Sequence, residues 1–135
     1  MWGPIPMISY ENGIAALQWL ARAFGFKERT RILGPRGELA HGEMDAGGGI
    51  IMLATPTPDY QPPKRHREYC EQASQWAQVP WVIDGVLIYV DNIDEHYARA
   101  KNAGAIILSE PEDGPPGRRY RAEDLEGHRW MFMQG

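Results

Sequence analysis

Few residues of this 135-residue chain have types that could do chemistry: its four histidines, its single cysteine, and acidic side chains placed beside them. His41 and Glu43 are two apart in a segment, Leu39 to Asp45, whose apolar and polar residues alternate. Residues two apart on a strand share a face, so this imidazole and carboxylate could act as an acid–base pair, or His41 could bond a ligand. A polar pair on a half-exposed strand would carry the same pattern. His128 follows Gly127 at the start of the last strand-like run and reads as part of that turn. His96 reads as the outer side of a helix and His66 as part of a basic loop, both solvated. Neither Cys70 nor any serine sits in a nucleophile motif. Gly47-Gly48-Gly49 is followed by neither a helix nor a Lys-Ser/Thr pair, so it reads as a hairpin turn rather than a phosphate loop.

The elements that must position these residues occur twice. Ile5 to Tyr10 is strand-like, with Pro4 and Pro6 confining it to an edge or a strand start. Asn12 is a good N-cap, and Ile14, Leu17, Leu20, Ala21 and Phe24 follow at helical spacing. Gly25 suits the left-handed residue that closes such a helix. Strand-like runs follow at 26–33, 39–45 and 50–54, with turns at 34–37 and 47–49. The second round has a strand at Val86 to Val90, Asn92, a helix with Ile93, Tyr97, Ala100 and Ala103 on one stripe, then strands at 106–108, 118–122 and 128–133. Glu110 to Gly117 reads as a loop. Between the rounds, residues 56–82 hold five prolines, four of them by Pro63, a possible short helix over 67–77, and Tyr60, Tyr69, Trp76 and Trp81. Long loops of this kind are usually functional or mobile.

The composition is that of an ordinary globular protein: 43% hydrophobic, 24% charged, net charge −4. No apolar run approaches the roughly 18 residues a membrane span needs. The first residues lack the basic start of a signal peptide, and one cysteine fits a reducing cytosol. The acidic balance gives no pull toward nucleic acid or anionic lipid. The basic clusters Lys64-Arg65-His66-Arg67 and Arg118-Arg119-Tyr120-Arg121 read as a solvated loop and strand edge.

The run Tyr120 to Trp130, with Asp124-Leu125-Glu126-Gly127-His128 inside it, resembles the ending of the vicinal-oxygen-chelate superfamily, the group of glyoxalases, bleomycin-resistance proteins and extradiol dioxygenases. Ala23-Phe24-Gly25-Phe26, Ala40-His41-Gly42-Glu43, Tyr89 to Asp94 and Ala103-Gly104-Ala105 extend the resemblance in the right order over nearly the whole chain. It is greatest to the bleomycin-resistance-like subgroup. The resemblance implies an α+β fold, a single domain over 1–135. Two βαβββ modules, about 1–55 and 83–135, would form a curved mixed sheet around a cleft with helices outside, joined by the Pro-rich aromatic connection at 56–82. Metal-dependent members of the superfamily place one ligand on the first and last strand of each module. In this chain those places fall near Ile5, Met52, Gly85 and Met131. Isoleucine and glycine donate nothing, and a thioether suits neither zinc nor the harder ions. The metal chemistry of the family is therefore not expected here, and no cofactor is.

On the same alignment the cleft is lined by Ile5, Met7, Met52, Ala54, Leu87, Tyr89, Met131 and Met133, with Trp76 and Trp81 on a connection able to close over it. Such a surface suits a flat or aromatic ligand. The expectation is a cytoplasmic, metal-free small-molecule binding protein, sequestering an antibiotic-like or aromatic metabolite and paired as a homodimer, with no nucleic-acid or membrane partner. His41 is counted among the ligand-binding residues. The alternative is a metal-independent isomerase or lyase acting on a small carbonyl compound, with Glu43 or His41 as base.

Overall fold

A computed structural model describes residues 3–135. The elements run β1 (Met7–Ser9), α1 (Gly13–Phe24), β2 (Lys27–Leu33), β3 (Leu39–Ala46), β4 (Gly49–Ala54), α2 (Pro63–His66), α3 (Glu71–Trp76), β5 (Gly85–Val90), α4 (Ile93–Asn102), β6 (Ile106–Glu112), β7 (Arg119–Glu123) and β8 (Arg129–Gln134). They make an α+β fold of two four-stranded sheets with the same order, β1-β4-β3-β2 and β5-β8-β7-β6. In each sheet the first strand lies parallel to the fourth and the other neighbours are antiparallel. The doubled pattern of the sequence is thus a doubled topology.

Local chemistry fixes the helix ends. The Asn12 side chain accepts the Ala15 N–H and that of Asn92 accepts the Glu95 N–H, both at 3.1 Å. Gly25 closes α1 at φ 74°, a conformation glycine adopts without steric cost. The buried stripe Ala16, Leu17, Leu20, Ala23 and Phe24 then packs α1 against its sheet and against α4. Phe24 stands edge-on to Phe132 at 4.7 Å and to Trp130 at 5.7 Å, so both modules share one core. Polar bonds reinforce that seam. Trp19 Nε1 donates to Ala103 O at 2.9 Å, and the Arg99 guanidinium donates to Arg22 O and Ala21 O in the last turn of α1.

Three boundaries differ from the sequence reading. β1 is only three residues long, because Pro4 and Pro6 have no N–H to give a ladder; Pro6 still accepts the Met52 N–H through its carbonyl at 2.9 Å. β6 runs on to Glu112, through Pro111, where a loop was expected. It is an edge strand with register shifts, where a missing N–H costs little. The helix expected over 67–77 is instead α2 and α3, separated where Cys70 takes an extended conformation and its Sγ accepts the Ala73 N–H.

Candidate functional site

Strand alternation sorts the side chains of each sheet onto two faces. In the second module Ile88, Tyr120, Ala122, Trp130 and Phe132 face the helices and are buried. Leu87, Arg121 and Met131 point the other way and lie in register across β5, β8 and β7. This row floors a cavity of about 220 Å³ whose walls include Trp81, Leu108 and Arg129. Trp81 is 69% exposed, with the Arg121 guanidinium carbon 5.8 Å from its ring centroid. That is within cation–π range.

A buried clamp fastens the connection beside this cavity. Glu123 and Arg129 are 1% and 4% exposed. The Glu123 Oε2 accepts from Arg129 Nη2 at 2.9 Å and from Arg67 Nη1 at 2.8 Å. Arg129 also donates to Val79 O at 2.8 Å and to Ala77 O. The guanidinium is thereby compensated twice, by a carboxylate and by the backbone of the segment leading to Trp81. Among the described residues, Glu123 Oε1 and Arg129 Nε find no partner.

The first module carries the matching row Met7, Met52 and Glu43 across β1, β4 and β3. Glu43 therefore stands where Arg121 stands in the second module. His41 Nε2 lies 2.7 Å from Glu43 Oε2, so the two candidate bases bond each other at the partly exposed face. Ile5 precedes β1 and is half-buried. Met7 is 83% exposed and borders a second cavity with Gly85 and Arg129. Tyr89, 56% exposed, borders a third with Leu87 and Pro6. Met133 is buried, and Trp76 lies in a fourth cavity with Tyr60, His66 and Ile83, apart from Trp81. Of the sequence candidates, Trp81, Leu87 and Met131 share one cavity, and Leu87 and Tyr89 another.

Two histidines and the basic clusters gain firmer roles. His96 is not solvated as expected. Its Nε2 is 3.0 Å from Phe24 O, so it carries the proton, and Nδ1 accepts from the Tyr120 hydroxyl at 2.6 Å. Burial pushes the His96 pKa down, and the neutral ring suits this bridge between α4, α1 and β7. His128 Nε2 donates to Ser9 O at 2.7 Å, and its amide donates to Asp124, a structural role at the turn. Within the Arg118–Arg121 run, Arg118 pairs with Asp94 and Asp113 on the surface while Arg121 enters the cavity. The signal was present in the sequence: Arg119 and Arg121 alternate with Tyr120 and Ala122, which fixes their opposite face.

The four places that the resemblance assigns to metal ligands do not fit a metal here. Ile5 and Gly85 offer no donor atom, Met52 and Met131 offer thioethers, and among the described residues no three of His, Cys, Asp and Glu gather as a metal would need.

The doubled βαβββ topology and the open sheet faces define a class, and a family model agrees. Residues 7–132 match the glyoxalase/bleomycin resistance protein/dioxygenase superfamily, and the chain belongs to it. The crystal structure of TioX from Micromonospora sp. ML1 is 32% identical in sequence, with a TM-score of 0.70, covering 98% of this chain and 95% of that one. The bleomycin-binding protein of Streptomyces verticillus, solved with copper(II)-bleomycin, shares the fold at a TM-score of 0.61 and 15% identity, covering 100% of this chain and 97% of its own. In sequence the chain is also 28% identical to the uncharacterized protein Mb0911c of Mycobacterium bovis, over 96% of this chain and 80% of that protein. Among the described residues no helix is long and apolar enough to cross a membrane.

Proposed function

We propose that this protein is a metal-free binder of a small flat or aromatic molecule, held in the cytosol by a homodimer. The observation that carries the reading is the cavity floored by Leu87 and Met131 and walled by the exposed Trp81 ring. Apolar area and stacking supply affinity without any reaction, and methionine adapts to ligands of different outline. A protein of the same fold was solved complexed with copper(II)-bleomycin, which supports a ligand-binding role for this fold here. Met7, Leu87 and Tyr89 are large apolar side chains left exposed on the open faces, which supports burial against a second copy. In such a pair, Ile5, Met52, His41, Trp76 and Met133 would stand at or behind the walls of the completed clefts.

Native mass spectrometry, with and without added divalent metal, tests the reading. A dimer that binds no metal and carries a small organic adduct is expected; one metal per cleft would overturn it. Fluorescence titration with phenylnaphthylamine, a neutral flat probe, tests the wall. Trp81→Ala should weaken binding about tenfold or more, from lost stacking and area, and His41→Ala should weaken it less. Equal affinity in the Trp81 variant would remove the stacking claim.

The enzymatic reading, an isomerase or lyase, rests on the 2.7 Å contact between His41 and Glu43. It requires one of them to release the other toward a substrate. Turnover of a small carbonyl compound with a pH–rate profile altered by Glu43→Gln would establish it.

A further inference from the structure

We propose that the ligand of the Trp81 cavity is an anion: a flat aromatic molecule bearing a carboxylate, sulfonate or phosphate that seats on Arg121. This rests on the binding reading above and names the chemical class of its ligand.

Among the described residues, the charged side chains lining the cavity are both arginines, Arg121 and Arg129, with no carboxylate. The terminal nitrogens of Arg129 are already spent on Glu123 and on the Val79 and Ala77 carbonyls. Arg121 is different. It is half-buried, and among the described residues it forms no ion pair and no side-chain hydrogen bond. Among the described residues its guanidinium meets the face of Trp81. A guanidinium that has lost part of its water and gained no acid retains its hydrogen-bond donors for another partner.

The surroundings add to this field. Two guanidiniums, of Arg67 and Arg129, share the single Glu123 carboxylate beneath the connection. Arg119, two residues from Arg121 on the same face, also has no carboxylate partner among the described residues and donates only to Gly117 O, at 3.3 Å. The chain as a whole carries −4, so this positive cavity stands against the sign of the molecule. A planar guanidinium beside an indole offers two things at once, a fork for an oxyanion and a ring for a flat body.

Two fluorescent probes with the same ring system separate the terms: anilinonaphthalene sulfonate, which is anionic, and phenylnaphthylamine, which is neutral. Titrations would use the intact protein, with stoichiometry and melting temperature checked for every variant. The sulfonate should bind about tenfold tighter than the neutral probe, as a charge-assisted contact would give. Arg121→Met should cancel that advantage, bringing the two probes' affinities to within about twofold of each other. Arg121→Lys, which keeps charge but not the fork, should retain part of it. A sulfonate that binds no tighter than the neutral probe, or an Arg121→Met variant that weakens both alike, overturns this proposal and leaves the binding reading in place. If neither probe binds, both fall together.

Discussion

Asp124 is the residue on which most of the fold's polar interior converges. It is 2% exposed, and both its oxygens accept twice. Oδ2 takes the Tyr10 hydroxyl at 2.6 Å and Trp130 Nε1 at 3.1 Å; Oδ1 takes the amides of Glu126 and His128, each at 3.0 Å. Burial, with the neighbouring Asp124 charge, pushes the Tyr10 phenol well above its usual pKa, so it remains a donor. Asp124→Asn would set an NH₂ against two donors. The expected loss is about 2–4 kcal/mol, measured by urea denaturation; an unchanged midpoint would contradict the network. His96 makes a prediction of opposite character. Burial lowers its folded pKa from the ordinary 6.5. Below that pH the unfolded chain takes up a proton that the folded chain resists, so stability falls as pH drops from about 6.5 toward the folded pKa. Denaturation midpoints across that window should slope downward with acid in the natural protein, and His96→Gln should flatten the slope.

At the scale of elements, the two helices begin by the same device. Each has an asparagine cap, and each first-turn amide finds an oxygen at the end of its module: Gly13 N–H donates to Thr55 Oγ1 and Ile93 N–H to Gln134 Oε1, both at 2.9 Å. Asn12→Ala and Asn92→Ala should each cost about 1 kcal/mol. Because the sites share no partner, the double variant should lose close to the sum, read from thermal melts. These caps, the glycine at position 25 and the alternation of β3 were legible in the sequence because each is decided within a few residues. Arg121 was half legible. Its face followed from alternation, but its neighbour Trp81 lies forty residues away and no local rule places it there. The Arg67–Glu123–Arg129 clamp was not legible at all. It joins three segments through side chains that composition alone assigns to the surface, and the buried end of β7 reverses that assignment. The same holds for His96, whose partners sit on α1 and β7.

For the whole molecule, one fact governs the rest: α1 and α4 pack on each other, so the core is shared and the opposite sheet faces remain open. The open faces carry Met7, 83% exposed, and Leu87, 45% exposed, and the proposed two-fold pairing would cover them. Sedimentation at micromolar protein should give the mass of a dimer, and Met7→Glu should shift it toward the monomer. A natural protein that sediments as a monomer at every concentration would end the pairing argument.

The turn after β7 bears on where such a chain came from. The Glu126 carboxylate accepts the amides of Glu11 and Asn12 at 2.6 and 2.9 Å, so the second repeat completes the start of the first repeat's helix. Burial raises the Glu126 pKa, the cost of placing an acid there for the sake of a distant amide pair. The first repeat's counterpart is a glycine turn, Gly47 to Gly49, with no acid to return the favour. The two copies have become unlike partners in a lasting division of labour. A lineage that lost the second repeat could not restore this contact by duplicating the first, because the copy would bring a glycine turn in place of the acid.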